Sequence, residues 1–421
     1  MNPAPHAEAI RRAYPSVLGK LLGFTGSLAD AEDAVHDAIE RALASWTTSG
    51  LPESSEAWLI TVAQNAHRDR QRRARRTESY GDAVDVLAEL SPWARITVAE
   101  PEVLRGFKDD LLRLLFACCH PTLEDGESAA LALATVVGLS NAEIARAFVV
   151  APRSMEQRLT RARQRLREEG DALGTTPERG HGRLPAVLRT IHLLFNEGYW
   201  SGDDDAPIRA DLCRLALGLG RSLVETYPGE PEAAGLLSLL LLHEARRDAR
   251  LDAHGSPVPL PEQDRSRWDH ESIRTASALL ELALGVGAPG PMQTEAAIAA
   301  THCKAKAAHE TNWDEIAALY AILEDFRPTC AVRVNRAFAL GKAEGPARGL
   351  DLLGRTDIDV MNYPYVHLVR GALLADAGQT AAAITSLTEA ARQSRNEHER
   401  RQIEQRIALV STQGAEHGTV G

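Results

Sequence analysis

Cysteine is scarce in this 421-residue chain: there are five, Cys118, Cys119, Cys213, Cys303 and Cys330. An odd, scattered set without a C-x-x-C pair excludes a disulfide scaffold and fits a reducing cytoplasm. Long apolar runs are missing as well. The longest, at 236–242, is far too short to cross a bilayer, so no membrane partner is expected. Residues 1–9 have neither a basic start nor an apolar core, and no signal peptide is expected. Strand-type alternation is almost absent, which leaves an all-α fold. No nucleophile–base pair and no phosphate-cradling glycine loop stands out, so neither catalysis nor a cofactor is expected. An excess of positive charge is lacking too, since the formal net charge is −11.

That negative balance is unevenly spread. Residues 1–170 hold 21 Lys/Arg against 24 Asp/Glu, and residues 171–421 hold 26 against 34. The acidity lies mainly in the second part, and the arginines of the first part fall into two clusters. Local patches, not the total, decide whether nucleic acid is a partner.

Helical periodicity runs through nearly all of the chain and divides it into five segments. Residues 8–76 read as a first helical domain, 77–104 as a linker, and 105–170 as a second helical domain. After a Gly/Thr/Pro joint at 174–182 come a helical middle block (183–287) and a block of helical hairpins (288–411). Gly371, Leu374, Gly378, Ala383, Leu387 and Ala390 have the small/large spacing of a tetratricopeptide (TPR) helix pair, with weaker pairs at 291–326 and 331–353.

The second domain carries the sharpest local signal, a helix-turn-helix at 138–167. Ser140 or Asn141 is a cap for a short helix through Ala142, Ile144, Ala145 and Phe148. Residues 149–151 make the turn, and Pro152 suits the first position of the next helix. There Met155, Leu159, Ala162 and Leu166 form an inner stripe, while six arginines lie largely outside it.

In the first domain, Ala31, Ala34, Val35, Ala38, Ile39, Ala42 and Leu43 mark the inner stripe of an amphipathic helix whose outer face is acidic. A further helix follows, apolar at Trp58-Leu59 and carrying six arginines from Arg68 to Arg76. Taken alone, such a basic end binds DNA, RNA or nothing.

The order of these parts is more specific. An acidic amphipathic helix precedes Trp58-Leu59, Ala63-Gln-Asn65 and Asp69-Arg-Gln-Arg-Arg73; after a linker comes the helix-turn-helix ending Arg161-Ala-Arg-Gln-Arg-Leu-Arg167. The chain resembles bacterial sigma factors of the extracytoplasmic-function (ECF) class. Leu111–Pro121, Phe195-Asn-Glu-Gly-Tyr199, Asp211-Leu-Cys213 and Glu262–Asp269 are similar to the ECF subgroup with a long TPR-like C-terminal extension.

The resemblance implies a fold of two small helical sigma domains followed by a helical, TPR-like extension. It also implies two partners, core RNA polymerase and promoter DNA. Asp33, Asp37 and Glu40 are the expected polymerase contacts, acting as rim electrostatics. Asn65 would read a base edge of the −10 element, with Arg68, Arg70, Arg72, Arg73, Arg75 and Arg76 on the backbone. At the −35 element, Arg153, Ser154, Glu156, Gln157 and Arg158 are the specificity candidates, and Arg161, Arg163 and Arg165 the phosphate contacts. The extension is expected to regulate activity, by packing on the DNA-binding domains or by docking a regulatory protein.

Other clusters carry less. His243-Glu244 opens like a zinc-protease motif, but Arg247 stands where the second histidine belongs, so no metal is expected. Cys118-Cys119-His120 reads as buried thiols at a helix end, Trp58 as core, and Asp203–Asp205 as a solvated loop. Asp248, Asp252 and His254 near Gln263-Asp264 read as a polar brace between helices. Two other functions remain open on sequence: a stand-alone helix-turn-helix regulator with a helical sensor domain, and a scaffold whose arginine patches bind acidic proteins.

Overall fold

The computed structural model describes residues 5–78, 110–148, 150–169, 181–199, 209–252, 258–355, 363, 365–394 and 397–418. Most of the expected linker (77–104) and joint (174–182), the turn residue Val149, Asp203–Asp205 and His254 lie outside them. Among the described residues every element is a helix. The chain packs as two units: Met1–Gly198 with Arg214–Thr226, and Tyr199–Cys213 with Tyr227–Gly421.

In the first unit, α1 (Pro5–Thr25), α2 (Leu28–Ser49) and α3 (Ser55–Glu78) pack on one another. Ser27 starts α2 by accepting from the Asp30 N–H at 3.2 Å. The core of this trio is fully buried Leu18, Leu21, Leu22, Val35, Leu59 and Trp46. Trp58, expected in the core, is half-buried and packs edge-on against fully buried Trp46, ring centroids 5.3 Å apart.

The α2 stripe differs from the expected one at its far end. Leu28, Ala31, Ala34, Val35, Ala38, Ala42 and Trp46 are buried, but Ile39 is only half-buried and Leu43 is 47% exposed. The reason is geometric. Each four-residue step overshoots a 3.6-residue turn by about 40°, so the series 35, 39, 43 drifts off the buried face while 35, 42, 46 stays on it. Ile39 and Leu43 instead line a groove of about 540 Å³ shared with Ile10 and Tyr14 of α1 and with Gly138–Asn141.

Next come α4 (110–118) and α5 (Asp125–Ala132), which runs into a π-helical turn, Leu133–Val137. Gly138 ends that turn at φ +75°, a conformation that favours glycine. Ser140 then opens α6 (Asn141–Ala147) with a capping box: its hydroxyl accepts from the Glu143 N–H at 3.3 Å and the Glu143 carboxylate accepts from the Ser140 N–H at 2.7 Å. Pro152 is the first residue of α7 (Pro152–Glu169), with Met155, Leu159 and Ala162 buried beneath it. Cys118 and Cys119 are buried thiols at the end of α4. Burial is the main cause that raises the Cys118 thiol pKa.

The first helix of the expected extension belongs to this unit. In α8 (Leu184–Tyr199), Leu184, Val187, Leu188, Ile191, Leu194 and Phe195 are buried. Arg183 donates to the Phe116 carbonyl at 2.8 Å, and Cys119 Sγ lies 3.5 Å from Thr190 Oγ1. Leu115, Val136, Ile191 and Leu194 surround a void of about 10 Å³, too small for any ligand. The packing therefore carries α8 into the core of the helix-turn-helix domain.

After α9 (Ala210–Thr226), the second unit continues with α10 (Pro231–Glu244), α11 (His270–Leu284) and α12 (Pro291–Lys304), which share a core around Leu239, Leu242, Trp268, Ala276 and Leu280. The Glu232 carboxylate accepts from the Met292 and Gln293 N–H groups, both at 3.0 Å, where the α12 dipole favours a negative charge. From α13 (Trp313–Phe326) through α14 (Cys330–Glu344), α15 (Pro346–Arg355), α16 (Tyr365–Asp376), α17 (Thr380–Gln393) and α18 (Glu397–Gly418), each helix packs on the next. Close approaches are made by glycine. A Cβ on Gly349 would stand 2.5 Å from the Ala337 carbonyl oxygen, and one on Gly371 would stand 2.7 Å from Leu387 Cγ. The small/large series at 371–390 thus falls on the α16–α17 hairpin, with Ala383, Leu387 and Ala390 buried.

Candidate nucleic-acid interface

The two arginine clusters lie on α3 and α7. Asn65 is exposed on α3, two residues beyond buried Ala63 and beside buried Ala66 and His67. Arg68 is exposed, its guanidinium 5.4 Å from the Phe24 ring centroid. Arg70 differs from its neighbours in being used within the domain: it pairs with Asp37 at 2.8 Å and Asp33 at 3.5 Å. The backbone of Arg72, Arg73, Arg75 and Arg76 continues α3, and their side chains lie outside the described residues.

On α7 the first turn and the last turns serve different surfaces. Arg153, Ser154, Glu156 and Gln157 are exposed around the helix start, Arg158 is half-buried and Arg161 is exposed. Further along, Arg165 donates to buried Glu127 of α5 at 2.6 Å, tying the recognition helix to its own domain. Arg163 donates Nε to Glu32 of α2 at 3.0 Å, and Arg167 reaches Asp33 of α2 at 3.2 Å. Glu32 is the more enclosed partner, with 12% side-chain exposure against 33% for Arg163. Beside this pair sits Tyr14, whose phenol pKa is raised by burial first and by the Glu32 charge second.

One expected polymerase-contact acid, Asp33, and one expected −35 phosphate contact, Arg163, thus lie on a seam between α2 and α7, where Arg163 pairs with Glu32 and Arg167 with Asp33. Asp33 joins both arginine clusters through Arg70 and Arg167, Asp37 pairs with Arg70, and Glu40 stays exposed. The sequence places Glu32 on the acidic face of α2 and Arg167 on the arginine face of α7 without pairing them, and it gives no signal for Glu127, which neutralises Arg165.

Known families match these same segments. Residues 9–77 match Sigma-70 region 2, residues 113–166 match Sigma-70 region 4, and residues 183–284 match a family of unknown function (DUF6596). An uncharacterized protein of Rhizobium meliloti (strain 1021) is 38% identical over 408 residues, spanning 97% of this chain and 96% of that protein. No solved structure matches. Sigma-70 regions 2 and 4 imply binding to core RNA polymerase and to promoter DNA. Helix α3 with its arginines belongs to the region 2 match and the helix-turn-helix to the region 4 match, so the chain belongs to the sigma-70 family as an ECF-type sigma factor with a helical C-terminal extension.

Proposed function

We propose that this protein directs core RNA polymerase to a small set of promoters. The α3 face around Asn65, Arg68, Arg72, Arg73, Arg75 and Arg76 meets the −10 element, and the start of α7 meets the −35 element. Asn65 offers a donor and an acceptor to one base edge, which suits capture of a base taken out of the stack. At α7, Arg153, Ser154, Glu156, Gln157 and Arg158 read bases, and Arg161, Arg163 and Arg165 hold phosphates. Asp33, Asp37 and Glu40 of α2 dock on the polymerase.

The observation that carries this reading is the division of α7, with an exposed polar start and an arginine end paired to α2. In this closed arrangement Glu32 and Asp33 of α2 hold Arg163 and Arg167 of α7. Opening the seam frees Asp33 for the polymerase and Arg163 for a phosphate together, so binding of polymerase to α2 exposes the end of α7 for DNA. The extension regulates that step: α8 is fixed to the helix-turn-helix domain, and the TPR-like array beyond it offers a surface for a regulatory protein.

Reconstitution with core polymerase tests the assignment. Asn65→Ala and Arg158→Ala are expected to lower initiation at least tenfold while leaving the circular dichroism spectrum unchanged. Full activity in both variants removes them from the interface.

A further inference from the structure

The Phe195–Tyr199 and Glu262–Asp269 segments have no part in the DNA-facing helices, yet their ends lie among cationic side chains, of which Arg246 is buried and Arg250 and Arg265 are half-buried. Arg246, just past α10, is only 6% exposed. Its Nη2 donates to Tyr199 Oη at 3.3 Å and to His243 Nδ1 at 2.6 Å, and its Nε is buried without a partner. Arg250 stacks on the Tyr199 ring, guanidinium 3.3 Å from the centroid, and donates to the Tyr199 carbonyl. Arg265 lies over Trp268 at 4.5 Å and donates to the His302 and Ala305 carbonyls at 2.8 and 2.7 Å. Trp268, 4% exposed, buries its Nε1 without a partner, as Gln263 does its Oε1.

Among the described residues, neither Arg246 nor Arg265 has a carboxylate within 4 Å. Glu244 is engaged by Arg247 at 2.6 Å, and Glu310 lies on an exposed turn. The like charges act on each other. Burial, with Arg246 as a neighbouring cation, lowers the pKa of both Arg250 and Arg265. Burial, then Arg246 and Arg265, holds His302 down at about 4, so it adds no charge at neutral pH. A guanidinium cannot escape by losing its proton. Buried cations with no counter-charge are costly, and an anion from solution relieves that cost.

We propose that this cluster is a binding site for a small phosphate compound, held by Arg246 and Arg265 with the Trp268 indole N–H. These two guanidiniums carry a charge that a single carboxylate only partly offsets. A phosphate group carries about −1.5 to −2 at neutral pH and has three acceptor oxygens for donors arriving from several directions. Inorganic phosphate and a phosphate monoester share this chemistry. Most of the site falls in the block that matches the family of unknown function, and it stands independently of the promoter-binding reading.

Thermal unfolding and titration calorimetry of the full chain, with inorganic phosphate or glycerol phosphate at ionic strength held constant by NaCl, test the proposal. The expected result is a saturable rise in Tm of several degrees and one site per chain. The stronger of the two ligands identifies the free ion or the monoester. Arg246→Met is expected to unfold at or above the wild-type Tm without ligand, because a buried unpaired charge is gone, and to lose the phosphate-dependent rise. Arg265→Met gives the same loss should Arg246→Met fail to fold. No saturable rise above the chloride control overturns the site. So does a rise that persists in the folded variants, since it then comes from the arginines of α3 and α7.

Discussion

Glu32→Gln isolates the seam between α2 and α7 in one atom exchange. Arg163 Nε lies 3.0 Å from Glu32 Oε1, with the carboxylate mostly enclosed. The accompanying Arg167–Asp33 pair is about half exposed on both sides. Exposed pairs contribute about 0–1 kcal/mol, and a partly enclosed one is placed here at about 1–2 kcal/mol. Losing it shifts the closed–open equilibrium by roughly 5–30-fold, since about 1.4 kcal/mol is a factor of ten. When only the open form binds DNA, apparent affinity is reduced by the open fraction, so the variant tightens binding to a −35 duplex by up to the same factor. Fluorescence anisotropy at fixed salt measures it. Glu40→Gln makes the same charge change on the same helix at an exposed position and is expected to alter affinity less than twofold. Equal effects of the two variants would refute the seam.

Gly349→Ala is expected to cost about 1–3 kcal/mol despite the better helix propensity of alanine, because its Cβ meets the fixed Ala337 carbonyl at 2.5 Å. Gly371→Ala is expected to destabilise as well, by about 1–3 kcal/mol, since its Cβ meets Cγ of fully buried Leu387 at 2.7 Å; urea titrations measure both. His302, held at about 4 by burial and by Arg246 and Arg265, binds its proton more readily when unfolded. Stability therefore falls with pH from about 6.5 towards 4 at up to roughly 1.4 kcal/mol per unit, and His302→Gln is expected to remove that part of the slope between pH 7 and 5. Truncation after residue 172 removes α8, whose buried Leu, Ile, Val and Phe side chains are each worth roughly 1.5–3 kcal/mol of burial. That fragment is expected to bind a hydrophobic dye and unfold early, whereas one ending at Thr226 keeps α8.

Local signals were legible because they act over a few residues. Ser140, Glu143 and Pro152 fix where α6 and α7 begin, and Met155, Leu159 and Ala162 fix the face α7 buries. The outer end of the α2 stripe was misread at Leu43 because a four-residue step drifts around a helix. What stayed hidden depends on distance in sequence. Arg163 and Glu32 are 131 residues apart, and the Cys119–Thr190 contact that brings α8 into the helix-turn-helix core spans 71. Periodicity shows that a face is acidic or basic but not which partner neutralises it. The cluster around Arg246 was overlooked for the same reason. Tyr199, His243, Arg246, Arg265 and Trp268 carry no shared spacing, and they meet only when α10 and the turns before α11 pack together.

Transcription from a supercoiled promoter library by core RNA polymerase, with and without the purified chain, decides whether the protein is a promoter-specificity subunit. Specific initiation at a few promoters is expected only when the chain is present, and is expected to be lost in Asn65→Ala and Arg158→Ala. A chain that binds promoter DNA alone but never supports initiation is not such a subunit.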